Sequence, residues 1–111
     1  MLKNSNTFLL FAAVLVFLAG CNSKPIHELI LADTAIKAAQ KAKADSLATD
    51  LYRKAENNFL RAKQDYREGY YDSCRNFADT ARQTAEQAEY QALLKQSKMK
   101  GSESSDDYGS Y

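Results

Sequence analysis

Few residues break this chain's monotony. It has one proline, Pro25, one histidine, His27, two cysteines and four glycines in 111 residues. From Ile26 to Leu94 there is no proline and a single glycine, Gly69. Strand signals are missing from that stretch, so a sheet or barrel is excluded as its expected fold. Charge of one sign is also missing, since 15 Lys and Arg stand against 14 Asp and Glu. Without a basic excess there is nothing to grip nucleic acid by counterion release, and no nucleic-acid partner is expected. The one long apolar run, Thr7–Ala19, carries no charge and is too short to span a bilayer core comfortably.

What is present is alanine, together with Lys, Gln, Arg and Glu, all good helix formers. Hydrophobic residues make up 45% of the chain, but many lie in the first twenty positions and many of the others are alanine. At about 25 cal/mol per Å² an alanine core is thin. A domain of this size built on it is expected to be marginal alone, helped by self-association or a partner.

The N-terminus reads as an export signal. A short segment with Lys3 precedes the apolar run, which closes on small residues. The run ends Leu18-Ala19-Gly20-Cys21, which resembles the bacterial lipobox at every position. The resemblance implies a diacylglycerol thioether on Cys21, cleavage between Gly20 and Cys21, and acylation of the new amine. Two or three chains hold a protein stably where one holds it marginally. Asn22 stands where the lipoprotein family's inner-membrane retention signal is typically Asp, so the implied destination is the outer membrane. The alternative is an uncleaved anchor helix with an incidental cysteine. The expected division is a lipoprotein signal peptide (1–20), a lipidated cysteine and short tether (21–25), a helical domain (26–96) and a disordered tail (97–111), where Gly, Ser and Asp dominate.

Within 26–96 the question is where the helix turns. Gly69 follows Arg67 and Glu68 and suits a left-handed C-cap, with Asp72 or Ser73 to cap the next helix. A second break is expected at "KADSLATD", where Asp45, Ser46, Thr49 and Asp50 are each candidate N-caps; the alternative is one unbroken helix from 26 to 68. Each segment has an apolar stripe: Leu29, Ala32, Ile36, Ala39; then Leu51, Ala55, Phe59, Ala62, Tyr66. The last, Cys74, Ala78, Ala81, Ala85, Ala88, Ala92, is a strict heptad of almost only alanine, which lets backbones approach closely. Phe59, Tyr66 and Phe77 are expected to supply bulk, with Leu93 and Leu94 meeting Leu51 near the open end. The expected fold is all-α: an antiparallel hairpin about Gly69, or a three-helix arrangement.

The stretch "AENNFLRAKQDYREGYYDSCRNFADTARQTAEQAEYQALL", with "LADTAIKAAQKAKADS" upstream, resembles the bacterial DUF4398 family over about residues 28–94. Spaced alanines, a Gly-aromatic-Asp turn and Ala-x-x-Ala repeats carry the resemblance. Cys74 departs from the pattern's usual alanine, and Thr49 from a frequent proline. The resemblance implies an envelope protein facing the periplasm and no known activity. Ala55, Phe59, Ala62, Tyr66, Gly69, Tyr70 and Ala78 are also similar in spacing to one tetratricopeptide unit. A solenoid needs about three repeats, so repeat-like packing without an array is expected.

Chemistry is sparse. His27 has no clustered ligand partners and reads as a surface residue. Cys74 reads as an alanine substitute buried in the seam, with intermolecular pairing as the alternative. Tyr52, Tyr66, Tyr70, Tyr71 and Tyr90 exceed what packing needs. Of these, Tyr52, Tyr70, Tyr71 and Tyr90 form a candidate stacking surface for sugar or peptide, set against a plain core role. No phosphate loop, metal-ligand spacing or nucleophile–base pair is present, so neither an enzyme nor a cofactor beyond the lipid on Cys21 is expected. The expected function is an outer-membrane lipoprotein whose helical module binds another envelope protein or itself. The alternative is a structural lipoprotein linking the outer membrane non-covalently to peptidoglycan. The murein lipoprotein family ends in a wall-linked lysine, whereas this sequence ends Gly109-Ser110-Tyr111, against covalent attachment.

Overall fold

The computed structural model describes residues 23–106, and among these every regular element is a helix. Helix α1 is Ile26–Lys41, α2 is the single turn Ala44–Leu47, α3 is Thr49–Glu68 and α4 is Tyr71–Asp106. The expected signal peptide, Gly20, Cys21 and Asn22 lie outside the described residues, as do residues 107–111.

The three long helices run up, down and up. Helix α4 is the shared wall, packing on both α1 and α3, which touch each other less. Its first turns meet the start of α1, where the Arg75 guanidinium lies 3.7 Å from Glu28. Twenty-one residues on, Gln96 Nε2 donates to the Ala42 carbonyl at 2.6 Å, at the end of α1. Helices α1 and α4 are therefore parallel, with α3 antiparallel to both.

Alanine makes the seam. Cys74, Ala78, Ala81, Ala85, Ala88 and Ala92 are all fully buried on α4, as the heptad spacing predicts. Ala55 and Ala62 of α3 and Ala32 and Ala39 of α1 are buried equally deeply. Among the described residues, all buried apolar residues except Pro25, Ile36, Tyr52 and Cys74 are alanines. Leu29, Leu51, Phe59, Tyr66 and Phe77 lie half-buried along the seam's edges, and Phe59 packs against both halves of the core. The small side chains let the backbones close, and the larger ones cover the join from outside.

Both expected breaks are present, and Gly69 is the left-handed C-cap that the sequence suggests, but the expected N-caps are not used at either break. Gly69 has φ +83°. The Tyr70 N–H donates to the Asp65 carbonyl at 2.9 Å and the Gly69 N–H to Tyr66 at 3.3 Å, the paired bonds of a Schellman motif. Asp72 and Ser73 are not the caps of α4. The Tyr70 carbonyl accepts the first helical bond, from Cys74 N, which puts both residues inside the helix. The Ser73 hydroxyl is drawn instead to Asp65, and Asp72 accepts from Arg75.

At the other end α1 stops without a glycine. Lys43 takes the left-handed conformation at φ +59°, which costs a residue with a Cβ about 1–2 kcal/mol. The two helices after it, α2 and α3, start at Lys43 and Ala48 with no side-chain cap. The expected caps bond backwards: Ser46 Oγ to the Lys43 carbonyl at 3.1 Å, Thr49 Oγ1 to the Asp45 carbonyl at 3.0 Å. Helix α4 supplies the missing partners, with Lys95 Nζ donating to the Leu47 carbonyl and Gln96 to Ala42.

Two further expectations concern the end of α4. Leu93 and Leu94, expected to meet Leu51 near the open end, follow Ala92 off the seam and are exposed. Helix α4 runs on to Asp106, past residue 97 where the tail is expected to begin; the remainder of that tail, 107–111, lies outside the described residues. Lys98, Met99 and Lys100 continue the helix-forming composition. Ser97, Ser102 and Ser104 fold their hydroxyls onto carbonyls three residues back. Every residue from Ser97 to Ser104 is exposed, and Met99 and Lys100 line a shallow pocket with Lys43, Ser46 and Leu47.

Candidate functional site

The densest polar cluster sits at the Gly69 end. Asp65 is 2% exposed although it carries a carboxylate. One oxygen accepts from Ser73 Oγ at 2.6 Å, the other from Arg61 Nε at 3.2 Å. Its backbone carbonyl takes the Tyr70 N–H, so a single residue ties α3 to α4 through both side chain and main chain. Arg61 also lies over the Phe77 ring, 5.4 Å from its centre. Nothing in the stripe pattern marks Asp65, because its burial depends on Ser73 arriving from the next helix. The Ser-at-one-turn-past-glycine spacing is the only trace it leaves.

One turn further along α4, Arg75 gathers three segments. It bonds Asp72 Oδ1 at 2.9 Å within its own helix, approaches Glu28 of α1, and donates to the Ser23 carbonyl just ahead of Pro25. Cys74 beside it is completely buried. Burial pushes its thiol upward, the nearby Asp65 and Glu28 carboxylates add to this, and Arg75 opposes them. The thiol is thus held away from the reactive thiolate form, in keeping with a seam residue.

The four tyrosines singled out from sequence do not share a surface. Tyr52 is buried between α1 and α3, and its phenol is pushed upward by burial, then by Glu56 and Asp45. Tyr71 is half-buried, its ring 5.8 Å from that of Tyr66. Tyr70 and Tyr90 are 62% and 64% exposed. They are separated by about 30 Å along α4 at 1.5 Å per residue. Tyr52, expected on that surface, instead lies one position off the Leu51–Tyr66 stripe, where α1 covers it. His27 is exposed, as expected.

Between α1 and α3 runs a shallow groove floored by Ile36, Tyr52 and Phe59 and rimmed by Lys37, Glu56 and Lys63. Lys63 Nζ sits 4.8 Å above the Phe59 ring and caps one side. Among the described residues no group of three His, Cys, Asp or Glu is placed to hold a metal ion. No described helix is long and apolar enough to cross a membrane.

These features define a class: a small all-α domain in which one long helix, faced with alanine, walls two shorter ones. Comparison with known families gives that class its place. The model of the domain of unknown function DUF4398 matches residues 27–101, and the chain belongs to this family. The match begins in the first turn of α1 and ends inside the overhang of α4, seven residues beyond the similarity legible by eye. No curated protein and no solved structure matches the chain significantly.

Proposed function

We propose that this protein is a lipid-anchored bacterial envelope lipoprotein, non-enzymatic, whose helical bundle is a protein-interaction module in the periplasm. The observation that carries the reading is Leu18-Ala19-Gly20-Cys21 at the end of an uncharged run of signal-peptide length. Cys21 is the lipidated residue, Gly20–Cys21 the cleaved bond, and the outer membrane the favoured site. The bundle supports the second half of the reading. Its core is an alanine seam, so bulky side chains remain outside and available to a partner. Tyr90, Leu93 and Leu94 stand exposed together on α4, spaced by three and four residues. The partner is another envelope protein or a second copy of the chain.

Labelling with radioactive palmitate tests the anchor: wild type takes up label, and Cys21→Ser takes up none and accumulates unprocessed. Equal labelling of the two refutes it. Crosslinking in cells tests the module and should return one dominant protein partner or a dimer. Retention on purified sacculi without a protein crosslink would favour wall binding instead.

A further inference from the structure

The polar clasp at the Gly69 end has a consequence for how the bundle meets its membrane. The inference rests on lipidation of Cys21, proposed above. Arg75 of α4 holds the Ser23 carbonyl, and Pro25 behind it is buried. Cys21 is two residues ahead of Ser23, and two residues of chain reach no more than about 8 Å. A lipid on Cys21 therefore brings the bilayer surface against one particular end of the bundle, the end that also carries the turn at Gly69. The far end, with Lys43, Leu47 and Gln96, is a whole helix length away.

We infer that the turn end of the bundle, with Tyr70 and Ile26 exposed beside the Arg75–Ser23 clasp, rests on the lipid surface that carries the anchor. The side chains there suit an interface between water and hydrocarbon. Tyr70 is 62% exposed at the tip of the turn, and an amphipathic phenol is favoured at headgroup depth. Ile26 and Ile30, four residues apart on α1, are 51% and 57% exposed next to the tether. Charge at this end is mixed, with Lys24 and Arg67 offset by Glu68 and Asp72, so attraction to anionic headgroups does not drive the contact. A few exposed apolar groups bind a free bilayer feebly. Tethered by two residues, they face it at very high effective concentration, and the weak contact is populated. The result is a bundle standing with its turn on the membrane and its α2 end and α4 overhang projecting away.

The chain contains no tryptophan, so single reporters can be placed cleanly. Tyr70→Trp and Tyr90→Trp, both at exposed positions, are expressed as full-length protein in bacteria. Each is purified from membranes and reconstituted in vesicles of phosphatidylethanolamine and phosphatidylglycerol containing brominated acyl chains. The mass of the Cys21 peptide is read from the same samples. Docking predicts several-fold stronger quenching at position 70 than at 90. Arg75→Ala in the Tyr70→Trp background should lower that quenching while the lipid mass is unchanged. Equal quenching at both positions means the bundle lies flat, and none at either means it hangs free; each overturns the docking alone. Quenching at 70 that survives Arg75→Ala overturns the part given to the clasp. A Cys21 peptide without lipid overturns the anchor itself and is read independently of the fluorescence.

Discussion

The two ends of this bundle solve the same problem differently. Each must stop a helix, turn the chain and satisfy freed backbone groups against the start or end of another helix. The Gly69 end uses a glycine that accepts φ +83° without strain and a carboxylate buried between two helices. The α1–α2 end has no glycine. It forces Lys43 to φ +59° and borrows two long side chains, the exposed Lys95 and the half-buried Gln96, to meet its carbonyls. The difference teaches that one end is built for rigidity and the other is held by contacts that cost little to release.

Breaking the firm end should have the largest effect. Asp65→Ala removes hydrogen bonds to a charged group and should lower unfolding free energy by about 2 kcal/mol in urea titration. Gly69→Ala comes next. An added Cβ meets nothing within 4 Å, so the cost is conformational only, about 1 kcal/mol by the same measurement.

The loose end should respond less, and in one case with the opposite sign. Gln96→Ala leaves the Ala42 carbonyl short of a partner and should cost about 0.5–1 kcal/mol. Lys43→Gly relieves a left-handed residue with a Cβ and should stabilise by about 0.5 kcal/mol, after glycine's own entropic cost. A destabilising Lys43→Gly would erase the proposed distinction between the two ends.

The smallest effect lies in the seam between them. Cys74 has its folded-state thiol pushed upward by burial, so the folded protein keeps that proton longer than the unfolded chain. Its contribution is fully present below the unfolded thiol's range and is lost as pH rises through the folded value. Stability should therefore decline above about pH 9. Cys74→Ala, which makes the heptad uniform, should flatten that decline in chemical denaturation measured across alkaline pH.

Much of this architecture was legible beforehand, for identifiable reasons. The Cys74–Ala92 stripe needs only a repeat of four and three residues, which sequence displays directly. Gly69 was legible because a lone glycine in a helix-forming stretch has few other uses. Asp65 was not, since a carboxylate on a helix edge is ordinarily solvated and only the opposing Ser73 makes it otherwise. Lys43 was not, since nothing in a lysine announces a left-handed turn. The extension of α4 beyond residue 97 is not legible because it lacks an apolar stripe, and local hydrogen bonds form there without one. Of the candidate site, the lipobox is wholly a matter of sequence. The tyrosines are not legible as a group because the burial of each is decided by which helix covers it.

The central claim is that the mature protein begins at a lipidated Cys21, with its bundle clasped two residues away. Intact-mass spectrometry of the full-length gene product extracted from bacterial membranes tests it most directly. The account predicts a chain that has lost residues 1–20 and gained the mass of a diacylglycerol thioether and an amide-linked acyl group. A 12.4 kDa chain that retains Met1 and an unmodified Cys21 would contradict it.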